Sequence, residues 1–133
     1  MRPDLRLTSM TIGTSRPLGL ARFYAGLLGW RVTEAEEPVP GDPVRGGWAQ
    51  VKPPEGVAGF TLNFEYELHY RPPVWPSVPG AQNATQHLDI HVPDLAAGVE
   101  WAVACGAVLA EFQPQQDVRV MIDPDGHPFC LFL

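Results

Sequence analysis

Hydrophobic and polar positions alternate most cleanly over residues 60–70, where Phe60, Leu62, Phe64, Tyr66 and Leu68 interleave with Thr61, Asn63, Glu65, Glu67 and His69. Strand side chains project alternately to the two faces, so this pattern predicts a half-buried strand with Asn63 and Glu65 on its polar side. A shorter run, QHLDIHV at residues 86–92, puts Leu88, Ile90 and Val92 on one face and His87, Asp89 and His91 on the other. The polar face of such a strand is ordinarily a solvated surface. Three ionisable groups in a row make it a candidate site.

Two other segments are apolar in the manner of helices. LARFYAGLLG (residues 20–29) follows Ser15 and Pro17, read as a cap and first-turn pair, and stops at Gly29. LAAGVEWAVACG (residues 95–106) follows Asp94, a good N-cap, and stops at Gly106. Strand-like runs flank both helices: residues 5–13, 30–33, 48–51 and 60–69 around the first, and 87–92, 107–110, 118–122 and 129–133 around the second. Each half therefore reads strand, helix, strand, strand, strand. This internal repeat implies two copies of one unit, module 1 over about 5–72 and module 2 over about 85–133, in one α+β domain spanning 1–133. The prolines cluster in residues 38–54 and 72–79, which are read as loops.

Composition narrows the function. The chain has 133 residues, 45% of them hydrophobic, and a net charge of −6. That is enough to bury one core, and it offers no basic surface to a nucleic-acid backbone. No apolar run has the length of a membrane span, and the N-terminal MRPDLRLTSM lacks the apolar stretch of a signal peptide, so the expected location is the cytoplasm. Cys105 and Cys130 fit reduced thiols there, Cys105 as plain packing and Cys130 as a small hydrophobe unless it meets a ligand.

If the apolar faces pack on the helices, the polar faces line a curved-sheet cup. Its expected wall is Trp48, Asn63, Glu65, His87, Asp89, His91, Arg119 and Cys130, with Trp75 in RPPVWP as a lid over the mouth. Glu65 suits a general base, because a carboxylate inside a cup needs a partner or a raised pKa. Arg119 has three open roles: pairing with Glu65, pairing with Asp89, or holding an anionic substrate. His127 reads as a surface residue of its turn.

Three segments in this order, FYAGLLGW (residues 23–30), HLDIHVPDL (residues 87–95) and DPDGHPFCLF (residues 123–132), resemble the vicinal oxygen chelate superfamily. It includes glyoxalase I, the bleomycin and fosfomycin resistance proteins and the extradiol dioxygenases. The resemblance is nearest to the small glyoxalase-like branch and covers nearly the whole chain. It implies two βαβββ modules forming a curved mixed sheet with helices outside, often a homodimer, with a divalent metal between the modules.

The family draws metal ligands from the first and last strand of each module. By position the match falls on Ser9 where His is usual, on Glu65 with Asn63 as fallback, on His87, and on Cys130 where Glu is usual. A serine hydroxyl is a poor divalent ligand, and a thiolate suits zinc better than nickel, manganese or iron. Asp89 is a possible substitute, since residues two apart on a strand stand roughly 7 Å apart on one face, whereas His91 lies roughly 13 Å from His87.

Two functions follow as expectations. One is a lyase or isomerase in which Glu65 or His87 moves a proton beside a carbonyl, with or without a divalent metal, but not a true lactoylglutathione lyase. The other is a metal-free protein that binds and sequesters a small aromatic or polycyclic compound. In either case the partner is a small molecule.

Overall fold

The computed structural model describes residues 1–133. The order is β1 (Ser9–Thr14), α1 (Pro17–Leu28), β2 (Arg31–Glu36), β3 (Trp48–Lys52) and β4 (Thr61–Tyr66), then β5 (Asp89–His91), α2 (Leu95–Cys105), β6 (Val108–Leu109), β7 (Val118–Ile122) and β8 (Pro128–Phe132). The βαβββ order thus occurs twice, and the class is α+β. The chain divides into two compact units, Met1–Leu68 and His69–Leu133.

In the first unit the strands are ordered β1-β4-β3-β2. β1 runs parallel to β4, and the other two ladders are antiparallel. A parallel neighbour needs a crossover, and α1 supplies it, packing against all four strands. Leu20, Ala21, Phe23 and Tyr24 of α1 meet Ala49, Val51, Leu62 and Phe64, all buried. Tyr24 stacks on Phe64 with ring centroids 5.7 Å apart. Each such large apolar side chain contributes roughly 1.5–3 kcal/mol by leaving water.

The second unit repeats the scheme in the order β5-β8-β7-β6, with β5 parallel to β8. Its core is Ala102, Val120, Met121, Phe129 and Leu131. Gly98 lets α2 approach closely, since a Cβ there would lie 3.2 Å from Val92 and 3.4 Å from Leu131. Trp101, on the same helix, is 55% exposed.

Local details depart from the sequence expectations in several places. The long alternating strand ends at Tyr66, close to the boundary between the units, and β5 holds only three residues, so His87 precedes the ladder. Ser15 is not the cap of α1: Arg16 holds the N-cap position, Pro17 opens the helix, and the Thr14 hydroxyl accepts from the Arg16 amide at 3.1 Å. Asp94 caps α2 as expected, accepting from the Ala97 amide at 3.0 Å.

His127 is not a surface residue of its turn. Its Nδ1 donates to the Asp123 carboxylate at 2.9 Å, its side chain is 19% exposed, and that of Asp123 is fully buried. The backbone amides of Asp125 and His127 also donate to Asp123, which closes the DPDGH turn around one carboxylate.

Candidate functional site

Each unit presents one candidate face, built by its own ladder. In the first unit the register sets Glu36 beside Trp48, Trp48 beside Glu65, and Glu65 beside Gly13. Cross-strand partners point to the same side, so Glu36, Trp48 and Glu65 form a row over β2, β3 and β4. The Trp48 indole N–H donates to Glu36 Oε2 at 2.7 Å. The next row holds Gln50 and Asn63, whose side chains are joined at 3.2 Å, and the Thr33 hydroxyl donates to Gln50. Three expected wall residues, Trp48, Asn63 and Glu65, thus share one face.

A cleft of about 230 Å³ opens at the end of this face, lined by Glu36, Arg45, Trp48, Glu65 and Tyr66 together with the Gly46–Gly47 turn. Gly46 has no side chain because the Tyr66 ring occupies that space. Gly47 has a φ of +88°, and a Cβ on it would lie 2.6 Å from the Glu36 carbonyl. Both glycines are needed for the turn to close against Tyr66 and Glu36.

In the second unit Asp89 pairs with Cys130, and Cys130 with Val120; His91 pairs with Phe132, and Phe132 with Val118. The His91 and Phe132 rings meet edge to face at 5.6 Å. His87 Nε2 lies 3.2 Å from Asp89 Oδ1. Ligand atoms of His87, Asp89 and Cys130 all fall within 4.8 Å of one another, with His87 and Asp89 exposed and Cys130 half-buried. Burial pushes the Cys130 thiol up, and the charge and hydrogen bond of Asp89 push it further, so the sulfur keeps its proton at neutral pH.

Arg119 departs from the expected wall. The register pairs it with Leu131, placing it on the opposite side of the sheet from Cys130. Its Nη1 donates to the carbonyls of Gln115, Gln116 and Val118, so the guanidinium fastens the entry to β7. Alternation alone made Arg119 a partner of Met121, which is correct, but it cannot say which face of β7 matches which face of β8. Trp75 is half-buried and packs on Phe112 at 5.9 Å. Ser9 lies beside Thr8, their hydroxyls 3.5 Å apart.

Glu36, Tyr66 and Tyr70 escaped the sequence reading. Glu36 lay beyond the expected end of its strand, and Tyr66 counted as an apolar-face residue. Tyr70 donates to the Asp125 carbonyl at 2.6 Å and lies 3.2 Å from His127 Nε2. The Asp-Pro-Asp-Gly-His spacing signals the turn alone, since a turn aspartate captures amides two and four residues on, and carries no trace of Tyr70.

A divalent ion fits the second-unit cluster better than the family's four positions. Ser9 offers only a neutral hydroxyl. His87, Asp89 and Cys130 offer nitrogen, oxygen and sulfur donors already within 4.8 Å, against the roughly 3.5 Å between ligands of a tetrahedral zinc.

This fold has known counterparts. The model of the glyoxalase-like domain family matches residues 9–132, and the chain belongs to that family. No curated protein sequence matches it. Among solved structures it is similar to a glyoxalase family protein from Enterococcus faecalis, with 17% identity, 96% of this chain and 97% of that one covered, and a TM-score of 0.65. It is also similar to TnmS3, an antibiotic binding protein from Streptomyces sp. CB03234, with 18% identity, 98% of each chain covered and a TM-score of 0.55. A third is the fosfomycin resistance protein FosX from Listeria monocytogenes, complexed with Mn(II) and a dihydroxypropylphosphonic acid; identity is 11%, coverage 98% and 90%, and the TM-score 0.64. At these identities the likeness shows the fold. No helix is long and apolar enough to cross a membrane.

Proposed function

We propose that this glyoxalase-like chain is an enzyme of lyase or isomerase type acting on a small carbonyl compound, with a divalent ion held by His87, Asp89 and Cys130. The convergence of those three donors within 4.8 Å carries the reading. The mixed donor set favours zinc over manganese, nickel or iron, because a soft thiolate beside a borderline imidazole suits a borderline-soft ion. When bound, the ion supplies Lewis acidity to a substrate oxygen.

The chain's own residues set the conditions for binding. Cys130 must lose the proton that Asp89 now stabilises, so uptake releases acid and strengthens as pH rises. Phe132 and His91 present an aromatic edge on the same face for an apolar substrate part.

The test is metal content of purified protein by mass spectrometry, with His87→Ala, Asp89→Asn and Cys130→Ser beside the unaltered chain. Near-stoichiometric zinc, lost in all three variants, is expected. Substoichiometric metal that none of the variants alters and that added zinc does not restore overturns the proposal. The metal-free binding reading then takes its place, favoured by the aromatic cleft of the first unit.

A further inference from the structure

The cleft at Glu36, Trp48 and Glu65 carries more negative charge than its surroundings answer. Glu36 takes only the neutral indole N–H of Trp48, and Glu65 faces Gly13, which has no side chain to offer. The one cation lining the cleft, Arg45, is bound to Asp42 at 2.7 Å and holds that carboxyl below the usual range. Two carboxylates flanking an aromatic ring are therefore left for a ligand.

Their spacing selects the kind of cation. Glu36 and Glu65 stand on β2 and β4 with β3 between them, roughly 10 Å apart across the sheet. The Glu36 carboxylate is turned to the Trp48 indole N–H on the strand between, so the pair flanks the ring instead of gathering on one point as metal ligands do. A cation resting over the indole meets both carboxylates through space and the ring face directly. The hydrogen bond to Glu36 fixes the indole and makes its face more electron-rich. Tyr66, packed against Gly46, is the second aromatic wall. The volume of about 230 Å³ is below the roughly 300–1,000 Å³ of drug-sized sites, which limits the ligand to about one ring and a short substituent.

We propose that the Glu36–Trp48–Glu65 row binds an organic ammonium compound carrying one aromatic ring. The inference rests on the chain being a small-molecule protein, and it is independent of a metal at His87, Asp89 and Cys130.

The experiment follows the Trp48 indole N–H by ¹⁵N–¹H NMR, assigned by its loss in Trp48→Phe. The probes are benzyltrimethylammonium, neutral benzyl alcohol and anionic benzoate. A saturable shift is expected with the ammonium, with affinity at least about tenfold above benzyl alcohol and no shift with benzoate. Glu65→Gln weakens the ammonium about tenfold, and because Glu65 is exposed the remaining spectrum stays dispersed. In the unaltered chain, raising sodium chloride to about 0.5 M weakens binding as well.

Equal affinity for ammonium and alcohol, no shift with any probe, or indifference to both Glu65→Gln and salt overturns the inference. Zinc content of the same sample separates the two proposals. Zinc without ammonium binding overturns only this one, and ammonium binding without zinc overturns only the metal centre.

Discussion

The Tyr70 hydroxyl is held between the Asp125 carbonyl, 2.6 Å away, and His127 Nε2, 3.2 Å away. It joins the opening of the second unit to the turn before β8. Pro72 strengthens the join by lying over Gly126, where a Cβ would come within 2.7 Å of the proline ring. Tyr70→Phe keeps the ring and loses the polar contacts. We expect it to lower stability by about 1–2 kcal/mol, read as a lower urea midpoint with an unchanged slope.

Asp123 is the more severe test of that turn. It is buried and accepts from the Asp125 amide, the His127 amide and His127 Nδ1. Asp123→Ala leaves those donors without an acceptor. A loss of about 3 kcal/mol is expected, and a loss below about 1 kcal/mol contradicts its place as the centre of the turn.

Tyr70 and Cys130 also give the alkaline limb of stability a direction. Burial raises both, with Asp125 and Asp123 adding to the effect on Tyr70, and Asp89 to that on Cys130. A folded-state pKa above the unfolded one stabilises fully below the unfolded value and loses its contribution as pH rises towards the folded value. Ordinary values are 9.0 for the thiol and 10.0 for the phenol, so stability declines from about pH 9 upward. Urea titrations at stepped pH check this, and a flat profile between pH 8 and about 11 contradicts it.

Alkylation kinetics test the Asp89–Cys130 pair directly. In protein stripped of metal with a chelator, Cys130 reacts slowly with iodoacetamide at pH 8, because burial and Asp89 keep it protonated. Asp89→Asn removes the neighbouring charge and accelerates the reaction several-fold, while burial still holds it below the rate of a free thiol. Cys105, raised by burial alone, is the internal control, and its rate should not change.

The first-unit core has a simple mutational signature. Phe64 is fully buried and stacks on Tyr24. Phe64→Ala removes that ring from a fully buried site, and about 3–5 kcal/mol is expected to be lost in chemical denaturation.

Most of the architecture was legible because period-two alternation and the Pro17, Gly29, Asp94 and Gly106 punctuation are local signals. The βαβββ repeat followed from their order. The faces were half legible. Alternation grouped His87 with Asp89, and Trp48 with Gln50, but only cross-strand register decided that Cys130 joins Asp89 while Arg119 turns away. Long-range partners left no local trace. Nothing near Trp48 announced that Glu36 would bind its indole, and nothing in the DPDGH segment showed that a tyrosine from residue 70 would settle on His127.

In each unit the parallel ladder puts the last strand in the interior of the sheet: β4 between β1 and β3, and β8 between β5 and β7. A strand made last but needed in the middle imposes an order on folding during synthesis. β1 and β5 cannot join their sheets until the chain has grown through β4 and β8. The first unit can complete its sheet while the second is still being made. The second stays an unjoined strand beside a hairpin until Pro128–Phe132 is free to enter between them, and until then the chain holds one finished sheet and one open.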